Sequence, residues 1–239
     1  MRHTVIFAAS LAALLALAAC TAGMGKAGMV KDCEQVRDWN LKISGCTAMI
    51  NSGQYSGWDL VVAYGNRGNA NDKLGDYAQA IEDYDQALRL DPNVALTYYN
   101  RGITYSDLGD IARAIEDYDQ ALRLDPGYLD AYNNRGNAYR KIGEAARAIE
   151  DFDQALRLDP SDAEVYWNRA LARCDLGQVE ASRDDQMQSI RSGAFTAKPL
   201  QRSLRDLGFY KGAINGDFNQ ETQKALREWT EAGCPSSDE

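Results

Sequence analysis

A thirteen-residue phrase, AIEDYDQALRLDP, begins at Ala80, recurs unchanged at Ala114, and returns at Ala148 with Phe152 in place of its tyrosine. The spacing is 34 residues both times. A fixed period between about 20 and 50 residues marks one supersecondary unit stacked on copies of itself. Each copy opens with an aromatic (Tyr64, Tyr98, Tyr132), has a glycine four residues on (Gly68, Gly102, Gly136), and turns at Gly75, Gly109 and Gly143. After the turn come Ala80, Tyr84 and Ala87, then Ala114, Tyr118 and Ala121, then Ala148, Phe152 and Ala155, at spacings that share one helical face. The unit is therefore a helical hairpin, with helix A before the turn and helix B after it. Asp-Pro ends each copy at Pro92, Pro126 and Pro160, where proline drives the preceding residue out of helical geometry. No copy buries its own surface alone, so stacking is obligatory.

These residues resemble the tetratricopeptide repeat family, whose run of aromatic, glycine, tyrosine, alanine, aromatic, alanine and proline they follow almost position for position. Two departures recur. Arginine (Arg67, Arg101, Arg135) replaces the leucine usual before the first glycine, and Asn71 replaces the following tyrosine in the first copy. Repeats are read over 61–94, 95–128 and 129–162. A weaker fourth follows over 163–191, with Tyr166, Ala170 and Gly177 in register but Gln186 in the aromatic slot. The expected fold is all-α: a solenoid of helical hairpins followed by a small three-helix module.

Two polar ladders run through the repeats. Arg67, Arg101, Arg135 and Arg169 hold one position of helix A, and Asp83, Asp117, Asp151 and Asp185 one position of helix B, 16 residues further on each time. A hairpin brings such positions face to face, which predicts four salt bridges inside the repeats. The second ladder, Asn66, Asn100, Asn134 and Asn168, is the candidate peptide-binding groove. In the resembled family helix A lines the concave face, and an amide both donates to and accepts from an extended peptide backbone. The alternative is that these amides bond to neighbouring helices. A comparable helix-A position carries Val62, Leu96, Asp130 and Glu164, which disfavours a free acidic tail as ligand and suits apolar or basic side chains. Glu82 and Asp85, with their copies Glu116, Asp119, Glu150 and Asp153, read as a solvated helix face rather than catalytic or calcium carboxylates.

The first 19 residues are of another material: Arg2 and His3, then VIFAASLAALLALAA without a charge. That is a secretory signal, too short to span a membrane as a helix. Its end, Leu17-Ala18-Ala19-Cys20, resembles the bacterial lipobox, which implies lipidation of Cys20 and a lipid anchor, with Thr21 fitting outer-membrane sorting; ordinary cleavage after Ala18 or Ala22 is the other reading. The expected location is the periplasm of a Gram-negative bacterium. Residues 20–31 read as a flexible tether and 32–60 as short helices capping the first repeat.

Without residues 1–19 the chain carries 25 basic against 35 acidic residues and no histidine. A net charge of −10 excludes nucleic acid as partner, since phosphate neutralisation needs clustered Lys and Arg. The missing histidine removes His-based acid–base chemistry and His-ligated metal sites. No catalytic residue, metal site or cofactor is expected. Four cysteines remain besides Cys20. Of their three pairings, Cys33 with Cys46 is favoured by proximity, leaving Cys174 with Cys234; Cys174 as a plain buried thiol is the alternative.

Beyond Gly193 the period changes. Leu200, Leu204 and Leu207 share a helix stopped at Gly208, Asn215-Gly216 marks a turn, and a second helix starts near Thr222. Leu200-Gln201, Leu204, Leu207-Gly208, Tyr210, Gly212, Gly216, Phe218, Thr222 and Leu226 over 195–234 resemble the peptidoglycan-binding-like domain, a three-helix module of many bacterial wall enzymes. Trp229-Thr230 departs from its usual aromatic-Gln ending. The expected function is a non-catalytic envelope scaffold that binds a protein or peptide partner in its groove and touches peptidoglycan through this module. The alternative is a wall hydrolase or an accessory subunit regulating one, for which the chain has no catalytic motif.

Overall fold

The computed structural model describes residues 26–34, 37–192 and 197–235, with helices and no strand among the described residues. The signal and Cys20 lie outside them. The chain divides into two compact units at Thr104. The first holds α1 (Lys26–Glu34), α2 (Trp39–Asn51), α3 (Trp58–Lys73), α4 (Tyr77–Leu90) and the start of α5 (Ala95–Asp107). The second holds the end of α5, then α6 (Ile111–Leu124), α7 (Leu129–Lys141), α8 (Ala145–Leu158), α9 (Ala163–Asp175), α10 (Val179–Arg191), α11 (Ala197–Asp206) and α12 (Gln220–Glu231).

Every hairpin turns in one way. At the end of α3 the Gly75 N–H donates to the Asp72 carbonyl and the Asp76 N–H reaches back to that of Asn71, both at 2.9 Å. This Schellman closure requires a left-handed residue, and Gly75 has φ +80°. Gly109, Gly143 and Gly177 repeat it. Asp76 and Asp110 then cap the next helix through the N–H groups of Gln79 and Arg113. At the Asp-Pro closures, Asp91, Asp125 and Asp159 are extended, and their carboxylates accept from the N–H two residues on.

The aromatic of helix B is what each hairpin closes on. Tyr84, Tyr118 and Phe152 are each no more than 2% exposed. A Cβ on Gly136 would stand 2.7 Å from the Phe152 ring, so glycine there sets the helix spacing. Removing such a buried ring costs about 3–5 kcal/mol.

Two expectations are corrected. The flexible tether is expected over 20–31, yet α1 starts at Lys26. It is held because Met29 and Cys33 are buried against Cys46, Ala48 and Met49 of α2. The three-helix C-terminal module is expected over 195–234, but its helices are not all inside that span, which holds only α11 and α12 among the described residues. The third helix is the last repeat's own α10. Ile190 of α10, with Trp167 and Leu171 of α9, packs on the cluster of Leu204, Leu226 and Trp229. Trp167 stacks on Trp229 with centroids 6.4 Å apart. Gln186 explains its place in an aromatic slot: wholly buried, it accepts from the Thr230 hydroxyl at 3.3 Å. Cys174 is bonded to Cys234 across the same junction, and Cys33 to Cys46, with Cα separations of 5.9 and 4.5 Å.

Candidate functional site

The arginine ladder frames the inner helices. Arg67, Arg135 and Arg169 each grip the helix-B aspartate of their own repeat with two nitrogens. The Nη2 distances are 2.6 Å to Asp83, Asp151 and Asp185, and the Nε distances 2.8–3.0 Å. Of the fourth expected pair, Arg101 lies in the first unit and Asp117 in the second. The solvated-face reading of Asp85, Asp119 and Asp153 is corrected. The Nη1 of Arg101, Arg135 and Arg169 reaches Asp85, Asp119 and Asp153 of the preceding helix B at 2.5–2.6 Å. These carboxylates are half-exposed, each clamped from the next repeat. Arg67 has no repeat before it, and its Nη1 donates instead to Thr47 of the capping helix α2 at 3.1 Å.

Burial would lower the Arg135 pKa, but the hydrogen bonds and charges of Asp151 and Asp119 outweigh it and hold the guanidinium above its ordinary value. Burial raises that of Asp151 against the same bonds. We read the pair as ionised at neutral pH, because a two-pronged Arg–carboxylate contact favours both charged forms.

The tyrosine slot adapts along the chain. Asn71 donates to Asp83 at 3.1 Å, and Arg173 in the last repeat reaches Asp185 at 2.7 Å. Between them, Tyr105 and Tyr139 carry Arg113 and Arg147 over their rings at 4.4 and 3.9 Å.

The asparagine ladder is not uniform. In the first unit Asn66 and Asn100 are half-buried on α3 and α5, and among the described residues no group bonds to either amide. They line a cavity of about 350 Å³ together with Trp58, Val62, Val94 and Leu96. Trp58 and Leu96 are 59% and 55% exposed, so the wall is apolar and open. In the second unit the Asn168 amide donates to Asn133 Oδ1 at 2.9 Å, and Asn133 in turn donates to Glu164 at 3.5 Å. Asn134 is likewise engaged within the fold. Asn168 thus follows the alternative, bonding to a neighbouring helix. Only in the first unit does the ladder offer free amides beside apolar side chains. Sequence reading missed Asn133 as a partner; the one hint is that Gly65, Tyr99 and Trp167 stand at that position elsewhere.

In the C-terminal module the organising group is Gln201, wholly buried. Its Oε1 accepts from the Gly216 N–H at 2.9 Å, and its amide lies within 2.9–3.3 Å of the Asp217 carbonyl, Asn215, Thr222 and Tyr210. One side chain therefore pins the whole loop between α11 and α12. Among the described residues no group of His, Cys, Asp and Glu could hold a metal ion, and no helix is long and apolar enough to cross a membrane.

Family models described as tetratricopeptide repeat match residues 61–94, 99–163 and 133–195. A model described as "Putative peptidoglycan binding domain" matches residues 183–233, beginning inside α10, the helix that the last repeat shares with the module. No curated protein matches the sequence. Among solved structures, one titled "Crystal structure of MamA" is similar at 22% identity and a TM-score of 0.60, over 65% of this chain and 88% of that one. Another, "Crystal structure of MamA protein", is 21% identical with a TM-score of 0.61, over 76% of this chain and 94% of that one. At such identity the likeness is one of fold. Repeat period, Schellman turns, buried helix-B aromatics and family matches converge: the chain belongs to the tetratricopeptide repeat family and carries a peptidoglycan-binding-like module at its C-terminal end.

Proposed function

We propose that the chain is a non-catalytic scaffold of the bacterial cell envelope, which holds an extended, apolar segment of a protein partner against α3 and α5. The observation that carries this reading is the open cavity where the unbonded amides of Asn66 and Asn100 stand beside Val62, Leu96 and Trp58. Amides satisfy the polar backbone of an extended peptide, and apolar walls take its alternate side chains. Repeats of this family support protein interaction as the general role; the apolar ligand, the envelope location and the wall contact are the finer reading. Cys20 is the proposed lipid attachment, and the module is the proposed contact with peptidoglycan.

Selection of a displayed library of random peptides on the purified protein tests the groove. Enrichment of peptides with alternating apolar residues, abolished by Leu96→Asp, is the expected result. Enrichment of acidic C-terminal tails instead would sink the reading. Incorporation of labelled palmitate in a bacterial host, absent in Cys20→Ala, tests the anchor. Release of soluble fragments from purified peptidoglycan would overturn the non-catalytic assignment.

A further inference from the structure

We propose that the basic edge of the C-terminal module, formed by Lys198, Arg202 and Arg205 of α11 beside the loop from Gly212 to Gly216, binds the peptide-stem carboxylates of the cell-wall polymer. The inference rests on the reading that the module contacts peptidoglycan, and it names the chemistry recognised: negative charge on the stems rather than the sugars.

The acidic excess fades where the module begins. Residues 61–191 carry 15 basic and 24 acidic side chains, whereas 192–239 carry 6 and 7. On α11 three cations stand at spacings of four and three, which places them on one stripe of the helix. An adjoining face makes the core: Leu200, Gln201 and Leu204 are buried.

The repeats show what arginine does here when it is structural. Arg67, Arg101, Arg135 and Arg169 all grip carboxylates. Among the described residues neither Lys198 nor Arg202 pairs with an acid, and Arg205 donates to the Gly212 carbonyl. Both are exposed. Asp217 accepts from Asn215 Nδ2 at 2.7 Å; Asp206, and Glu221 whose carboxylate lies against Gly212, make no ion pair with the stripe among the described residues.

The loop beside the stripe is held still. Gln201 bonds the Gly216 N–H and the Asp217 carbonyl, the Lys198 stem lies against Gly216, and Arg205 fastens Gly212. A fixed loop with two cations at its ends and a third between is a surface that receives planar carboxylates in the fork geometry of guanidinium groups. Each exposed pair contributes little by itself. Binding to a polymer that repeats its carboxylates multiplies these small terms.

The test is sedimentation of the full protein with insoluble peptidoglycan, native or with its carboxyl groups amidated, at low and high salt. Expected are pelleting with the native wall, its loss with the amidated wall and at high salt, and about a tenfold fall in bound fraction for K198E/R202E. Neither side chain is in the core, so the melting temperature of that variant stays unchanged. Arg227→Glu, on α12, controls for diffuse attraction and pellets like the parent. Equal pelleting with native and amidated wall, or an R227E loss equal to that of K198E/R202E, overturns the assignment while wall contact stands. If the protein pellets with neither wall, the wall-contact reading falls and this inference with it.

Discussion

The helix-A faces of the two units are built on the same frame and offer different chemistry. On α3 and α5 the ladder reads Val62 and Leu96, with the Asn66 and Asn100 amides unbonded among the described residues. On α7 and α9 the same ladder reads Asp130 and Glu164, and Asn168 is tied to Asn133. Behind both faces the helix-B aspartates meet arginine with the same geometry at 2.6 Å. The frame recurs because every hairpin must make the same packing contacts. The face drifts because solvent-exposed helix positions place little demand on the fold, which leaves them to the ligand.

The sharpest way to break this comparison is to attack the frame where it is most loaded. Arg135 holds Asp151 from its own repeat and Asp119 from the one before. Arg135→Ala leaves the Asp151 carboxylate, 5% exposed, without its cation, and costs about 3–5 kcal/mol. Urea unfolding measures it. A loss below about 1 kcal/mol would mean that the arginine ladder is ornament and that the two faces do not share a frame.

Much of that frame is legible in the sequence. The 34-residue period, the turn glycines and the Asp-Pro closures lead directly to helices and boundaries, since each is a local backbone requirement. The forward spacing of 16 residues from Arg135 to Asp151 follows from the hairpin alone. The same spacing of 16 runs backward to Asp119, yet Asp119 looks like an ordinary solvated residue until the next repeat is stacked on it. Helix α1 is hidden for a related reason: KAGMVKDCE has no apolar period, and it is held by burial of Met29 and Cys33 on α2. The shared α10 is hidden because Gln186 reads as a degenerate aromatic slot until Thr230 arrives from 44 residues away. The Asn ladder splits on a neighbour, Asn133, that no repeat register singles out.

A second prediction concerns the covalent ties, one in each unit. In the loop-entropy account, closing 60 residues between Cys174 and Cys234 stabilises by about 4 kcal/mol, and closing 13 between Cys33 and Cys46 by about 3. C174S/C234S is expected to destabilise slightly more than C33S/C46S in thermal unfolding, and to loosen Trp167 from Trp229 as a red shift in fluorescence. An unshifted spectrum would show that the tryptophan stack holds the module without the bond.

Exchanging the two faces is the direct test of where specificity lies. Leu96→Glu gives the first face the acid of the second, and a peptide selected for apolar residues is expected to bind about 10–100-fold more weakly, from lost burial plus an unpaired desolvated charge. Peptide titration by calorimetry reads it. Stability stays within about 0.5 kcal/mol, because Leu96 is already 55% exposed.

The smallest effect is the most discriminating. Asn100→Ala removes one amide that no group of the protein satisfies among the described residues, so folding does not notice its loss. A bound peptide backbone would lose up to two hydrogen bonds, each worth about 1 kcal/mol, for a weakening of roughly five- to thirtyfold. Asn168→Ala is predicted to behave in reverse. It strips the partner from Asn133, 7% exposed, and lowers stability by about 1 kcal/mol with binding unchanged. The two substitutions are chemically identical and occupy the same register of the repeat. If both act on binding, the ladder works as one groove and the distinction between the faces is wrong. If each acts on its own observable, a single repeat position performs two jobs, and the neighbour at one residue's remove decides which.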